Sequence, residues 1–72
     1  MRTGTLIYDD SMGRYDIRFG LEVYYGGLHC GETFEVQVNE VWIPVRIEMN
    51  MAREWYLVGL PVRSLSGLIV KI

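Results

Sequence analysis

TFEVQVNEVWIPVRIEM, Thr33 to Met49, is the stretch on which the fold turns. Phe34, Val36 and Val38 alternate with Glu35, Gln37 and Asn39. Val41, Ile43, Val45, Ile47 and Met49 then alternate with Trp42, Pro44, Arg46 and Glu48. A period of two places successive side chains on opposite faces of a strand, so each run has one apolar and one mostly polar face. Asn39 and Glu40 leave a two-residue connection between the runs. The segment therefore reads as a hairpin of half-buried antiparallel strands. Asn39 takes the left-handed conformation that such a turn needs more readily than most residues; Glu40 is less suited to it.

Outward from this hairpin the same alternation recurs in Arg14 to Phe19, where Tyr15, Ile17 and Phe19 face one way and Arg14, Asp16 and Arg18 the other. Thr3 to Tyr8, Glu54 to Val58 and Leu68 to Lys71 are less regular strands with β-branched or aromatic content. Asp9 to Gly13 reads as the loop of a first hairpin, and Asn50 to Arg53 as that of a third. Pro61 to Gly67 reads as a turn, with one turn of 3₁₀ helix at Ser64 to Gly67. Gly20 to Gly31 holds four of the eight glycines and reads as a long excursion with an extended piece at Leu21 to Tyr25. No segment keeps a helical period.

Residues 1–72 make one small domain, which at this size buries only about 60% of the surface its unfolded chain exposes. With 50% hydrophobic and 22% charged residues it folds, yet it has little room for an enclosed substrate cleft. Five or six short strands with tight turns predict an all-β, strongly bent barrel whose closure protects its edges. The expected type is a Src-homology-type barrel rather than an oligonucleotide-binding one. The reason is that a long excursion precedes a three-strand meander, a short turn and a final strand.

The net charge of -2 argues against nonspecific nucleic-acid binding, which needs a basic face. The apolar stretches fall short of the roughly 20 residues that span a bilayer, so no membrane partner is expected. MRTGTLIYDD shows no export signal. The single cysteine closes no internal disulfide, and a cytoplasmic location is expected.

TGTLIYDDSMGRYDIRF (Thr3 to Phe19), YYGGLHCGETFEV (Tyr24 to Val36), WIPVRIE (Trp42 to Glu48), WYLVGL (Trp55 to Leu60) and LSGLIVKI (Leu65 to Ile72) together resemble a family of short bacterial proteins called domain of unknown function 5348. The resemblance covers nearly the whole chain. It implies a stand-alone protein from Firmicutes, often encoded near phage or conjugative-element genes, and it carries no catalytic residues. In the family pattern an Asp-Gly turn is common where this chain has Asn39 and Glu40, which implies a looser hairpin here.

Candidate chemistry is sparse. His29 and Cys30 are adjacent, and neighbours in an extended chain point apart, so Cys30 reads as a buried or half-buried structural thiol rather than a nucleophile activated by imidazole. One Cys and one His are too few for a structural zinc site. Asp9, Asp10 and Asp16 lack the spacing of a calcium loop and read as solvated carboxylates. Gly26, Gly27 and Gly31 precede no helix and read as backbone bends. No cofactor or metal is expected, nor an enzyme.

The aromatics carry the functional expectation. Trp42 falls on the polar face of its strand and is expected to point into solvent, with Arg46 on the same face and Tyr56 or Trp55 close across the next hairpin. Arg46 stacked on Trp42, or a loop over the ring, is the internal-packing alternative. Tyr24, Tyr25 and Arg18 extend the candidate binding set, since Trp, Tyr and Arg are enriched at binding hot spots. The favoured function is a non-enzymatic protein-interaction module encoded by a phage or mobile element, in one version an inhibitor of a bacterial defence system. Its partner would be a host or element-encoded protein. The alternative is a single-stranded nucleic-acid-binding barrel, with bases stacking on Trp42 and Tyr56 while Arg14, Arg18 and Arg46 follow the backbone. Homodimerisation is left open.

Overall fold

The Asn39–Glu40 connection closes without slack. In the computed structural model, which describes residues 1–72, both residues take positive φ (48° and 68°), and pairing runs from Thr33↔Arg46 up to Val38↔Val41. Positive φ at both central positions is the geometry whose twist matches the flanking strands. The hairpin is therefore tight, correcting the looser one expected. Glu40 bears the steric cost that an L-residue meets there.

Seven strands form where five or six were expected: β1 (Thr3–Asp9), β2 (Arg14–Gly20), β3 (Val23–Tyr24), β4 (Thr33–Val38), β5 (Val41–Met49), β6 (Trp55–Val58) and β7 (Ile69–Lys71). The added one is β3, two residues of the Leu21–Tyr25 piece that pair with β2 past a bulge between Arg18 and Gly20. All pairings are antiparallel in one sheet of order β3-β2-β1-β7-β4-β5-β6. The ladder starts at β3 and stops at β6, and those two strands do not pair, so hydrogen bonding does not close it into a barrel. There is no helix, and so none long and apolar enough to cross a membrane. Ser66–Gly67 is a plain turn in place of the 3₁₀ turn expected at Ser64 to Gly67.

β7 joins the two halves of the sheet, pairing with β1 on one side and β4 on the other. Leu6 and Ile17 from the first half and Phe34, Val36, Val45, Ile47 and Leu57 from the second meet with Val70 in a single buried cluster. Leu28 and Leu65, from irregular segments, complete it. One sheet can enclose such a cluster only by curling round it. Side chains help hold the curl: Trp55 of β6 packs on the core and donates Nε1–H to the carbonyl of Gly13 in the first hairpin, at 3.2 Å.

Candidate functional site

The six residues singled out for binding fall in three places. Trp42 lies opposite Gln37 on the outer face, as its parity requires, but it is half-buried. Lys71, from β7, places Nζ 4.4 Å from the centre of the indole and 3.8 Å from Glu35 Oε1. The protein's own cation thus occupies the face of the ring that was expected to meet solvent, an interaction worth about 0.5–1 kcal/mol at an exposed site. Arg46 does not stack on Trp42; its Nε pairs with Glu48 at 2.7 Å. Tyr56 is exposed but sits opposite Glu48. At about 3.3 Å per residue, the six positions from Glu48 to Trp42 put Tyr56 roughly 20 Å from the indole. The single patch expected around Trp42 is therefore two separate ones, and Trp55 belongs to the core side.

Arg18, Tyr24 and Tyr25 do come together, at the opposite end of the sheet. Arg18 pairs with Tyr24 across β2 and β3. Its guanidinium donates to the carbonyls of Gly20 (2.9 Å) and Leu21 (3.2 Å), bracing the bulge that turns β3 back along β2. Tyr25 donates its hydroxyl proton to Glu32 Oε1, and Glu32 Oε2 accepts from the backbone N–H of His29 at 2.6 Å. That hydrogen bond to a carboxylate holds the Tyr25 phenol above its ordinary value of 10.0, with burial and the Glu32 charge adding to it. Beside these residues the edge is apolar and open: Leu21 is 85% exposed, Val23 53%, and Tyr24 and Tyr25 are exposed as well.

What holds this edge in place is Asp16, which the sequence reading left in solvent. It is only 7% exposed. Its Oδ1 accepts the backbone N–H groups of Ile17 (2.8 Å), Gly26 (2.9 Å) and Gly27 (2.9 Å). The two glycines take φ of 113° and 99°, so the chain reverses over the carboxylate with both amides aimed at one oxygen. The Gly-Gly pair could have suggested a docked backbone, but nothing local in the sequence names its acceptor.

Asp16 also lines a groove of about 390 Å³ between β1, β2 and β3. Ile7 lies opposite Asp16 across β1 and β2, Tyr8 and Tyr24 flank them, and Asp9 and Asp10 complete the lining. Tyr8 is held by an edge-on contact with Tyr15, ring centres 5.0 Å apart. Asp9 Oδ1 accepts from the Ser11 hydroxyl (2.7 Å) and from the backbone N–H groups of Ser11 and Met12. The Ser11 hydroxyl first, then the backbone bonds, outweigh its slight desolvation and keep this carboxyl below its ordinary 3.8.

The remaining candidates separate. Arg14 donates from one terminal nitrogen to His29 Nδ1 (2.7 Å) and the Leu28 carbonyl (3.4 Å), and its Nε is buried without a partner. Arg14, Arg18 and Arg46 are each engaged locally and form no continuous basic track. Cys30 is exposed rather than buried, at a cleft of about 600 Å³ shared with His29, Arg14, Arg53 and Trp55. No hydrogen bond joins its thiol to the imidazole, whose Nδ1 is taken by Arg14. No three His, Cys, Asp or Glu side chains converge as metal ligands.

Comparison with solved structures finds a crystal structure of a protein from Ruminococcus gnavus that is 63% identical, covers 99% of this chain and 100% of that one, and superposes with a TM-score of 0.93. No curated protein matches. The family model described as "Domain of unknown function (DUF5348)" matches residues 4–72. With essentially its whole length inside that match, the chain belongs to the DUF5348 family.

Proposed function

We propose that the protein is a non-enzymatic protein-interaction module, and that it binds through the β3 end of its sheet rather than through Trp42. One observation carries this reading. Leu21, Val23, Tyr24 and Tyr25 form an exposed apolar and aromatic ridge on a strand whose outer edge has no neighbour. An unpaired strand edge offers backbone donors and acceptors to an incoming segment, and tyrosine adds contact area at low entropic cost. Arg18 and Asp16 fix the ridge from behind, so little ordering remains to be done on binding. The assignment to a small Src-homology-type barrel belongs to the same reading. It is supported by the curl of the sheet and by the Trp55–Gly13 bond that ties β6 to the first hairpin.

In its specific form the partner is a host or element-encoded protein, and the module is an inhibitor of bacterial defence carried by a phage or mobile element. The genomic setting implied by the family resemblance supports this, as does the small, acidic chain. The test is co-purification with reconstituted defence complexes, using the natural chain, Tyr24→Ser and Tyr56→Ser, each checked for folding by amide NMR. A complex lost with Tyr24→Ser and kept with Tyr56→Ser supports the assignment. Size-exclusion profiles unchanged by every complex refute the inhibitor version, and a complex equally retained by both variants refutes the β3 site.

A further inference from the structure

The cleft of about 600 Å³ lies where the first hairpin, the β3–β4 connection and the β5–β6 turn meet, and its charge runs against that of the whole chain. The protein carries a net charge of -2, yet Arg14 and Arg53 line this cleft and no carboxylate does. Neither arginine enters an ion pair. The acids on the adjoining segments are engaged elsewhere. Asp9, opposite Arg14 in register, binds Ser11 and Met12, and Asp10 lines the other groove. Glu32 binds Tyr25 and the His29 N–H, Glu48 binds Arg46, and Glu54 binds Asn50. The polar groups offered to the cleft are donors. A guanidinium can only donate, so the 2.7 Å contact of Arg14 with His29 Nδ1 makes that nitrogen the acceptor and puts the imidazole proton on Nε2. Arg14 keeps one terminal nitrogen without a bond, and its Nε is buried with no acceptor in the protein. Arg53 is the less expected residue. It takes φ 64°, a conformation that glycine adopts without steric cost, so the turn itself does not call for an arginine.

We infer that this cleft binds a nucleoside monophosphate. Two guanidiniums and an imidazole N–H, from three separate segments, match a phosphate with three terminal oxygens better than a carboxylate with two. The rest of the lining is soft and apolar. Met12, Met49 and the half-buried Trp55 offer two thioethers and an indole to an aromatic base. The volume lies within the range of about 300–1,000 Å³ usual for small-molecule sites. The ligand is a single nucleotide and not a long strand, because Arg18 and Arg46 are engaged locally and do not extend the positive charge. The cleft shares no residue with the Leu21–Tyr25 ridge, so this inference stands apart from the interaction reading above.

The probe is adenosine monophosphate, titrated into labelled protein and followed by amide and indole NMR, with adenosine, inorganic phosphate and a 5′-phosphorylated dinucleotide in parallel. Saturable shifts are expected at Gly13, His29, Cys30 and the Trp55 indole. Adenosine and phosphate, each lacking one half of the contacts, should bind about tenfold or more weakly. Arg53→Gly should weaken the monophosphate by about tenfold, the loss of a charge-assisted hydrogen bond, while the melting temperature holds or rises because glycine suits φ 64°. That variant separates binding from folding. Arg14→Ala does not, since Arg14 also holds His29 and the Leu28 carbonyl. Tyr24→Ser should leave the titration unchanged. No shift with the monophosphate, equally tight binding of adenosine or of phosphate, or full affinity in Arg53→Gly would each overturn the assignment. A dinucleotide that binds more tightly and still needs Arg53 makes a strand end the source of the nucleotide; weaker binding makes it the free monophosphate.

Discussion

Replacing Asp16 with alanine removes the acceptor on which the β2–β3 end is hung. Three backbone N–H groups, those of Ile17, Gly26 and Gly27, converge on its Oδ1 at 2.8–2.9 Å. A hydrogen bond to a charged acceptor contributes about 1.5–3 kcal/mol, and a buried donor left unpaired costs about 1–3 kcal/mol. The three do not add, because the Gly26–Gly27 segment can lift off and hydrate its amides. The loss is then limited to what docking that segment is worth, about 2–4 kcal/mol for two charge-assisted bonds and the contacts they hold. Against a total of about 5–15 kcal/mol for a small domain, this is a large fraction. With a urea m-value near 1 kcal/mol/M, the unfolding midpoint followed by tryptophan fluorescence should fall by about 2 M or more. Exchange of the Gly26 and Gly27 amides should accelerate by about thirtyfold or more. Asp16→Asn keeps an acceptor oxygen and loses the charge, so it should cost about half as much. A loss below about 1 kcal/mol in Asp16→Ala, with both glycine amides still protected, would refute the argument that this carboxylate positions the edge.

Glu40→Gly should raise the melting temperature, because the left-handed penalty of about 1–2 kcal/mol at φ 68° exceeds the extra unfolded-state entropy of glycine, about 0.5–1 kcal/mol. A net gain near 0.5–1 kcal/mol corresponds to about 2–8 °C by calorimetry at this size. Gly4→Ala should do the opposite, since its Cβ would sit 2.5 Å from the Arg18 carbonyl oxygen and 2.7 Å from Ile17 Cγ2, and overpacking of this kind costs about 1–3 kcal/mol in urea unfolding. For Tyr25 the sign follows from a folded pKa raised above 10.0 by its bond to Glu32: the bond contributes fully below pH 10 and is lost as pH climbs through the raised value. The difference in urea midpoint between the natural protein and Tyr25→Phe should be flat up to that pH and then shrink; a difference that grows with alkalinity would contradict the contact.

The strands were legible because period-two patterning is local. Val45 and Ile47, Phe34 and Val36, and Ile17 are buried on the faces their parity assigns. Parity fixes a face, not what crosses it, and the misreadings have that form. Trp42 is on the outer face, yet Lys71 reaches over it from a strand far along the chain. Asp16 is on the outer face, yet Gly26 and Gly27 fold over it. Tyr56 missed Trp42 because the Asn50–Glu54 turn sets the register of β6 against Glu48, beyond what alternation specifies. Leu28 and Leu65 are lone apolar residues in irregular segments, where no period exists to place them in the core. The groove was invisible for the same reason: its residues come from β1, β2, β3 and the first hairpin, and only the paired register brings Ile7, Asp16 and Tyr24 together.

An open seven-strand ladder has two ends, and this chain treats them differently. At β6 the terminal Trp55 is turned inward onto the core and bonded to Gly13, and Arg46 and Glu48 on the neighbouring strand are paired with each other. The outer edge of β6 has no neighbour either, and Tyr56 and Val58 are exposed there. At β3 the strand is cut to two residues, a common way of blunting an edge against nonspecific pairing. Yet the residues around the cut are apolar, and Asp9, Asp10 and Asp16 enter no ion pair. A second copy meeting this edge would bring two sets of Asp9, Asp10 and Asp16 toward each other, and like charges so placed oppose association. Shortness and like charge thus act together against self-pairing, so an exposed apolar edge need not become a site of aggregation.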